Sequence, residues 1–159
     1  MTDTAGTVLE DELRDMRCLT VHQPWAELLC DGLKWVENRT WRTSHRGPLG
    51  IHAGLRRPAV ADLAQAGFAD TRTLPRGAMI GTVDVVACLR NEAGRLTADS
   101  VRRLLRAADR DVPCGELNID SVPGIEFVQS DAPFWWVVNR PRRLERPVPR
   151  RGQTSLWRF

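Results

Sequence analysis

The sequence predicts an α+β fold of one domain, a small mixed β-barrel with helices around it. Three observations carry this. Segments of extended character dominate the chain and three helical stretches are interleaved among them without a regular strand–helix–strand rhythm. A length of 159 residues suits a single core. The composition, 42% hydrophobic and 27% charged, is that of a soluble globular chain.

The elements follow in order. Residues 1–15 are polar and acidic with little periodicity and read as a flexible tail, so that the domain proper spans 16–159. RCLTVH at 17–22 alternates as a first strand. Gln23-Pro24 opens a helix, with Pro24 suited to its first position; Trp25, Leu28 and Leu29 give it an apolar face, and Gly32 stands where a C-terminal cap belongs. Residues 35–41 are extended. GPLGIHAG at 47–54 is a glycine-flanked strand, 57–67 a short amphipathic helix, and AMIGTVDVVACL at 78–89 the strongest strand of the chain. Thr97 or Asp99 caps a helix running to about residue 109. Residues 111–133, with three prolines and two glycines, form an irregular excursion with room for a short strand at IEFV. PFWWVVN, RRLERPVP and TSLWRF are again extended.

Charge is segregated. Residues 1–16 carry five acidic residues against Arg14, a net of −4, whereas 140–159 carry seven arginines against Glu145, a net of +6. A basic C-terminal segment is the electrostatic footprint of a nucleic-acid binder, although an arginine-rich chain also scatters charge on solvated faces. The N-terminus resembles neither a secretory signal nor a transit peptide, and no apolar run approaches the ~20 residues of a membrane helix, so a cytoplasmic protein without membrane contact is expected. Cys18, Cys30, Cys88 and Cys114 show no metal spacing, and His22, His45 and His52 are equally dispersed. Neither a metal nor a cofactor is expected.

The most informative stretch is DGLKWVENRTW at 31–41. It holds Lys34, the single lysine beside 22 arginines. Lysine offers a compact ammonium whose pKa falls on burial, which arginine cannot replace. By composition alone Lys34 could be a chance survivor in an exposed turn; with Gly32, Glu37 and Arg39 in register, a functional lysine is favoured. Regular alternation would put Lys34 and Glu37 on opposite faces, so they converge only if Lys34 sits in the turn before the strand or a bulge intervenes. Asp84 lies mid-strand among β-branched residues; if its face is buried it needs a cationic partner such as Lys34 or Arg39, and if solvated it needs none. Of six tryptophans, Trp25 and Trp157 look like core. One of Trp135 and Trp136 is open to exposure, and Trp41 beside Arg42 is the best stacking candidate.

LTVHQPWAELLCDGLKWVENRTWRTSHRGPLGIHAG resembles the opening of the ASCH domain family of the PUA-like superfamily. The resemblance rests on QPWAxLL, on Gly32, Lys34, Glu37 and Arg39, on Trp41-Arg42 and on RGPLGIHA. It continues in GAMIGTVDVV and in WWVVNRPRRLERPVPRRGQTSLWRF, covering roughly 17–159. It implies a PUA-like β-barrel surrounded by helices, with a cleft that takes a base or nucleotide of RNA or single-stranded nucleic acid. The ligand-binding set it implies is Gly32, Lys34, Glu37, Arg39, Trp41, Arg42 and Asp84. Phosphate contacts would come from Arg46, Arg140, Arg142, Arg143, Arg150 and Arg151. Some small family members resemble amidohydrolases of N4-acylated cytidine, built on a lysine, a threonine and an acidic residue. Those positions map onto Lys34, Glu37 and, approximately, Asp84. Glutamate cannot perform the attack of a threonine hydroxyl, so only a Lys34/Glu37/Asp84 site activating water would remain. A nucleoside-like small molecule is thus the alternative partner, a protein-interaction domain the third reading, and a monomer the expected state.

Overall fold

Six strands and three α-helices occur among residues 7–159, the part of the chain described by the computed structural model. The strands are β1 (Arg17–Val21), β2 (Val36–Arg39), β3 (Gly47–Ala53), β4 (Ala78–Arg90), β5 (Phe134–Pro149) and β6 (Leu156–Arg158). The helices are α1 (Trp25–Asp31), α2 (Val60–Ala66) and α3 (Ala98–Ala107). The strands form one mixed sheet in the order β2-β5-β4-β3-β1-β6. β1 and β3 are parallel, with Cys18 opposite Gly50, and the connection between them carries α1, as a parallel pair requires. β6 runs antiparallel to β1, and β2 antiparallel to β5. The expected α+β class is observed.

The chain packs as two compact units that alternate along the sequence. One consists of the described residues up to Gly32, Pro48–Val83 and Arg140–Phe159. It holds β1, β3, β6, α1 and α2. One of its apolar clusters joins Val8, Leu13, Cys18, Met79, Leu144 and Trp157. The other unit consists of Leu33–Gly47 and Asp84–Asn139. Its core brings Trp35 and Val36 together with Val101, Leu104 and Leu105 of α3, Trp135 and Val137 of β5, and Leu117, Val122, Ile125 and Val128 of the irregular stretch.

Several expectations are corrected. Pro24 is the residue before α1 rather than its first helical residue. The helix foreseen at 57–67 begins only at Val60, because Pro58 and Ala59 are extended or unstructured in front of it. IEFV forms no strand. Gly124, at φ 80°, opens a single 3-10 turn at Ile125–Phe127, which lets Ile125 turn into the core. PFWWVVN and RRLERPVP join as one 16-residue strand despite Arg140 at φ 47°. Residues 1–6 of the expected flexible tail lie outside the described residues. Within residues 7–15, Val8 and Leu13 are buried in an apolar cluster, and the other residues of the stretch are exposed.

Two expectations are met in detail. Gly32 caps α1 at φ 83°, where its N–H donates to the Leu29 carbonyl. Thr97, not Asp99, caps α3, exchanging hydrogen bonds with Ser100.

Candidate functional site

Strand β2 begins at Val36, so Lys34 stands in the turn before it. That position frees Lys34 from strand alternation. Its ammonium donates to the Val36 carbonyl and to Glu37 Oε1 at 3.0 Å. Glu37 Oε1 also accepts the Asn38 backbone N–H, 3.0 Å, and Arg39 Nη2 donates to Glu37 Oε2 at 3.3 Å. One carboxylate therefore bridges two cations. Lys34 and Glu37 are buried, 3% and 6% exposed, while Arg39 is only partly covered.

The electrostatics follow from this burial. Desolvation pulls the Lys34 pKa below its ordinary value, and Glu37 only partly restores it. For Glu37, burial alone would raise the carboxyl. The charges of Lys34 and Arg39, with hydrogen bonds from Lys34 and Asn38, outweigh it and hold Glu37 below the usual carboxylate range. The cluster is thus a fixed ion triad. Two of the three lysine donors are committed to protein, and Arg39 is the member that keeps accessible surface.

β2 and β5 set what lies beside the triad. Glu37 is directly opposite Trp136, and Arg39 opposite Phe134. Trp136 is fully buried; its indole N–H donates to the Trp41 carbonyl at 3.1 Å, and the two rings meet edge-on with centroids 4.7 Å apart. Trp41 stays half-exposed, Arg42 is exposed, and Arg46 is exposed with its guanidinium bonded to the carbonyls of Thr43 and His45. Trp135 is buried as well, so neither member of the Trp135-Trp136 pair is an exposed stacking residue; Trp135 reaches the Gln129 carbonyl from inside the core. Trp157 is core as expected, whereas Trp25 is only half-buried. Asp84 is half-buried on β4, on the face opposite Val83 and Val85.

The attachment of the irregular stretch was not foreseen from the sequence. Trp35 donates its indole N–H to the Pro123 carbonyl, 2.8 Å, and Arg110 lies over the same ring at 4.6 Å. Asn38 clamps the backbone twice, donating to the Phe127 carbonyl and accepting from the Gln129 N–H, 3.0 and 2.9 Å. Gly124 approaches so closely that a Cβ there would lie 2.6 Å from the Leu33 carbonyl oxygen. Trp35 and Asn38, neighbours in sequence of the triad residues, thereby fasten the 111–133 stretch to β2 and the turn before it.

Several arginines of the other unit have partners of their own. Arg142 makes a forked ion pair with Glu12, 3.0 and 3.3 Å, and Arg143 pairs with Glu27 at 2.6 Å. Arg150 lies over the Phe159 ring, 4.4 Å from its centre, and Arg140 and Arg151 are exposed. Four cysteines are free; burial pushes the Cys18 thiol up to about 11 and that of Cys30 to about 12. Among the described residues no His/Cys/Asp/Glu group could hold a metal ion, and no helix is long and apolar enough to cross a membrane.

The chain is 29% identical over 152 residues to human activating signal cointegrator 1 and 28% identical to the mouse protein, in both cases over 89% of this chain and 22% of the relative. It therefore spans about a fifth of the length of these relatives. Among solved structures, ASCH from Zymomonas mobilis superposes with a TM-score of 0.49 at 13% identity, covering 92% of this chain and 88% of that one. A Tyr-to-Phe mutant of the same protein gives 0.47 at 14%, covering 92% and 91%. The ASCH domain model itself matches residues 19–147, a span that includes the whole Lys34–Glu37–Arg39 triad, and the chain belongs to the ASCH domain family.

Proposed function

We propose that this ASCH domain binds RNA or another single-stranded nucleic acid as a monomer, and that a base or nucleotide docks beside Arg39, with Lys34 and Glu37 holding that arginine in place. The observation that carries this reading is the triad itself. A buried ammonium and carboxylate, costly to assemble, lock the one cation that remains partly open. Trp41, half-exposed and braced on Trp136, supplies an aromatic surface two residues further on, and Arg42 and Arg46 supply charge for phosphates. The reading includes the PUA-like barrel closure that the family resemblance implies, with Gly32 and Asp84 as further members of the site.

The amidohydrolase alternative is disfavoured by the same geometry. Both oxygens of Glu37 are engaged by cations, and a carboxylate held below its ordinary pKa is a weak general base.

The test is binding of a short single-stranded RNA across a salt series, beside hydrolysis of N4-acetylcytidine. The reading expects affinity that falls steeply with salt, and a loss of about tenfold or more for Arg39→Ala. It expects no turnover. Salt-independent binding, or hydrolysis abolished by Lys34→Met, would replace it with a small-molecule or enzymatic role.

A further inference from the structure

The acidic N-terminal stretch and the basic strand β5 meet within one unit. Val8 forms a parallel bridge with Leu144, its N–H donating to the Arg143 carbonyl at 2.7 Å. Glu12, in the 3-10 turn Glu10–Leu13, receives both terminal nitrogens of Arg142, and Arg142 also reaches the Thr7 carbonyl, 3.2 Å. The Glu12 carboxyl lies below its usual range, held there by the Leu9 N–H and by Arg142. A forked guanidinium–carboxylate pair is also the geometry in which arginine takes a phosphate.

The attachment is economical. Val8 and Leu13 are its buried anchors, and between them Leu9, Glu10, Asp11 and Glu12 are exposed. Beside them lies a cavity of about 460 Å³, walled by Leu9 and Glu10 on one side and by Arg146 and Val148 of β5 on the other. Glu12 of this turn thus pairs with an arginine of β5, Glu10 lines the cavity together with Arg146, and Asp11 turns to Arg14. Short segments held by few hydrogen bonds open locally at low cost.

We propose that residues 7–12 act as a built-in polyanion mimic: Glu12 occupies the phosphate position on Arg142, and a single-stranded nucleic acid binding along β5 must displace it. This deepens the nucleic-acid reading above and rests on it. The segment then sets a threshold, so that short or weakly charged ligands fail to open the strand while longer polyanions succeed.

The test uses the full chain and inorganic polyphosphate, which has charge but no bases, with a single-stranded RNA in parallel. The variant Glu10→Gln/Asp11→Asn/Glu12→Gln is compared with a control of equal charge, Asp111→Asn/Glu116→Gln/Asp120→Asn, whose residues are exposed in the other unit. The first should bind polyphosphate about five- to tenfold more tightly than the control. In the wild type, saturating polyphosphate should speed hydrogen exchange at the Val8 N–H. Equal affinity of the two variants, an unchanged Val8 exchange rate at saturation, or no polyphosphate binding at all would each overturn the proposal. If polyphosphate behaves as expected while RNA binds no better than polyphosphate, base recognition at the triad fails and the masking of β5 stands.

Discussion

Lys34 and Glu37 form a buried ion pair, Nζ to Oε1 3.0 Å, and the second carboxylate oxygen is held by Arg39. Removing one partner of such a pair leaves an uncompensated charge away from water. We expect Glu37→Gln, which strands two cations, to lower stability by about 3–5 kcal/mol. Lys34→Met, which leaves Glu37 still paired with Arg39, should cost less. Urea unfolding midpoints of the two variants check the order; a Glu37→Gln protein as stable as the wild type would contradict the triad.

The depressed pKa of Glu37 makes the same pair acid-sensitive. In the unfolded chain a glutamate titrates near about 4.3. Because the folded value lies lower, the stabilisation is fully present above that pH and is lost as pH falls through the folded value. Unfolding free energy measured from pH 6 down to pH 2 should therefore drop steeply in the wild type below about pH 4.3, and less steeply in Glu37→Gln.

His52 introduces a second pH dependence, of separate origin. It is buried; Nε2–H donates to the Arg150 carbonyl at 2.7 Å, and Nδ1 lies 3.2 Å from the Thr20 hydroxyl. Burial pulls its pKa below the ordinary value, against the opposing pull of the Arg150 carbonyl. A base with a depressed folded pKa takes up its proton first in the unfolded state. Stability should thus decline as pH falls below about 6.5 towards the folded value. His52→Gln, which keeps a side-chain N–H for the carbonyl, should flatten the slope between pH 7.5 and 5.5 in denaturant titrations.

The attachment of the 111–133 stretch to β2 predicts two further effects. Asn38→Ala loses two hydrogen bonds and should cost about 1–3 kcal/mol, with faster hydrogen exchange at the Gln129 N–H. Gly124→Ala adds a Cβ against the Leu33 carbonyl and the Trp35 indole at a φ of 80°, so it should destabilise by about 2 kcal/mol or more. Both should alter tryptophan fluorescence through Trp35. Thermal unfolding with fluorescence detection reads both variants.

How much of this was legible in the sequence depends on how local the signal is. The β-branched run of β4, the Thr97–Ser100 cap and the Gly32 cap are each written within a few residues, and all three appear where expected. The nearness of Lys34 to Glu37 was legible as a condition, a turn before the strand, and the turn is there. Its burial was not, because solvent exclusion comes from partners such as Trp136 that lie a hundred positions away. The docking of residues 7–12 on β5 left no periodic trace, since a single parallel bridge and one ion pair suffice. The acceptors that hold the irregular stretch are the carbonyls of Pro123, Phe127 and Gln129, and a carbonyl has no residue type by which to be recognised.

The pairing of β1 with β6 joins segments far apart along the chain and constrains the order in which this sheet can form. β1 pairs with β6 between Arg17 and Arg158, so β1 gains this neighbour only once the chain has been made as far as Arg158. Until then β1 has β3 on one edge and nothing of its own sheet on the other. Contacts of such long sequence separation form slowly, and an unpaired edge invites pairing with another chain. Deletion of residues 156–159 would remove Leu156, Trp157 and Arg158 together, and with them the outer partner of β1. An insertion next to β6 therefore acts on the step that adds this strand to the sheet, whereas one placed in the exposed turn at 92–95 leaves that step untouched.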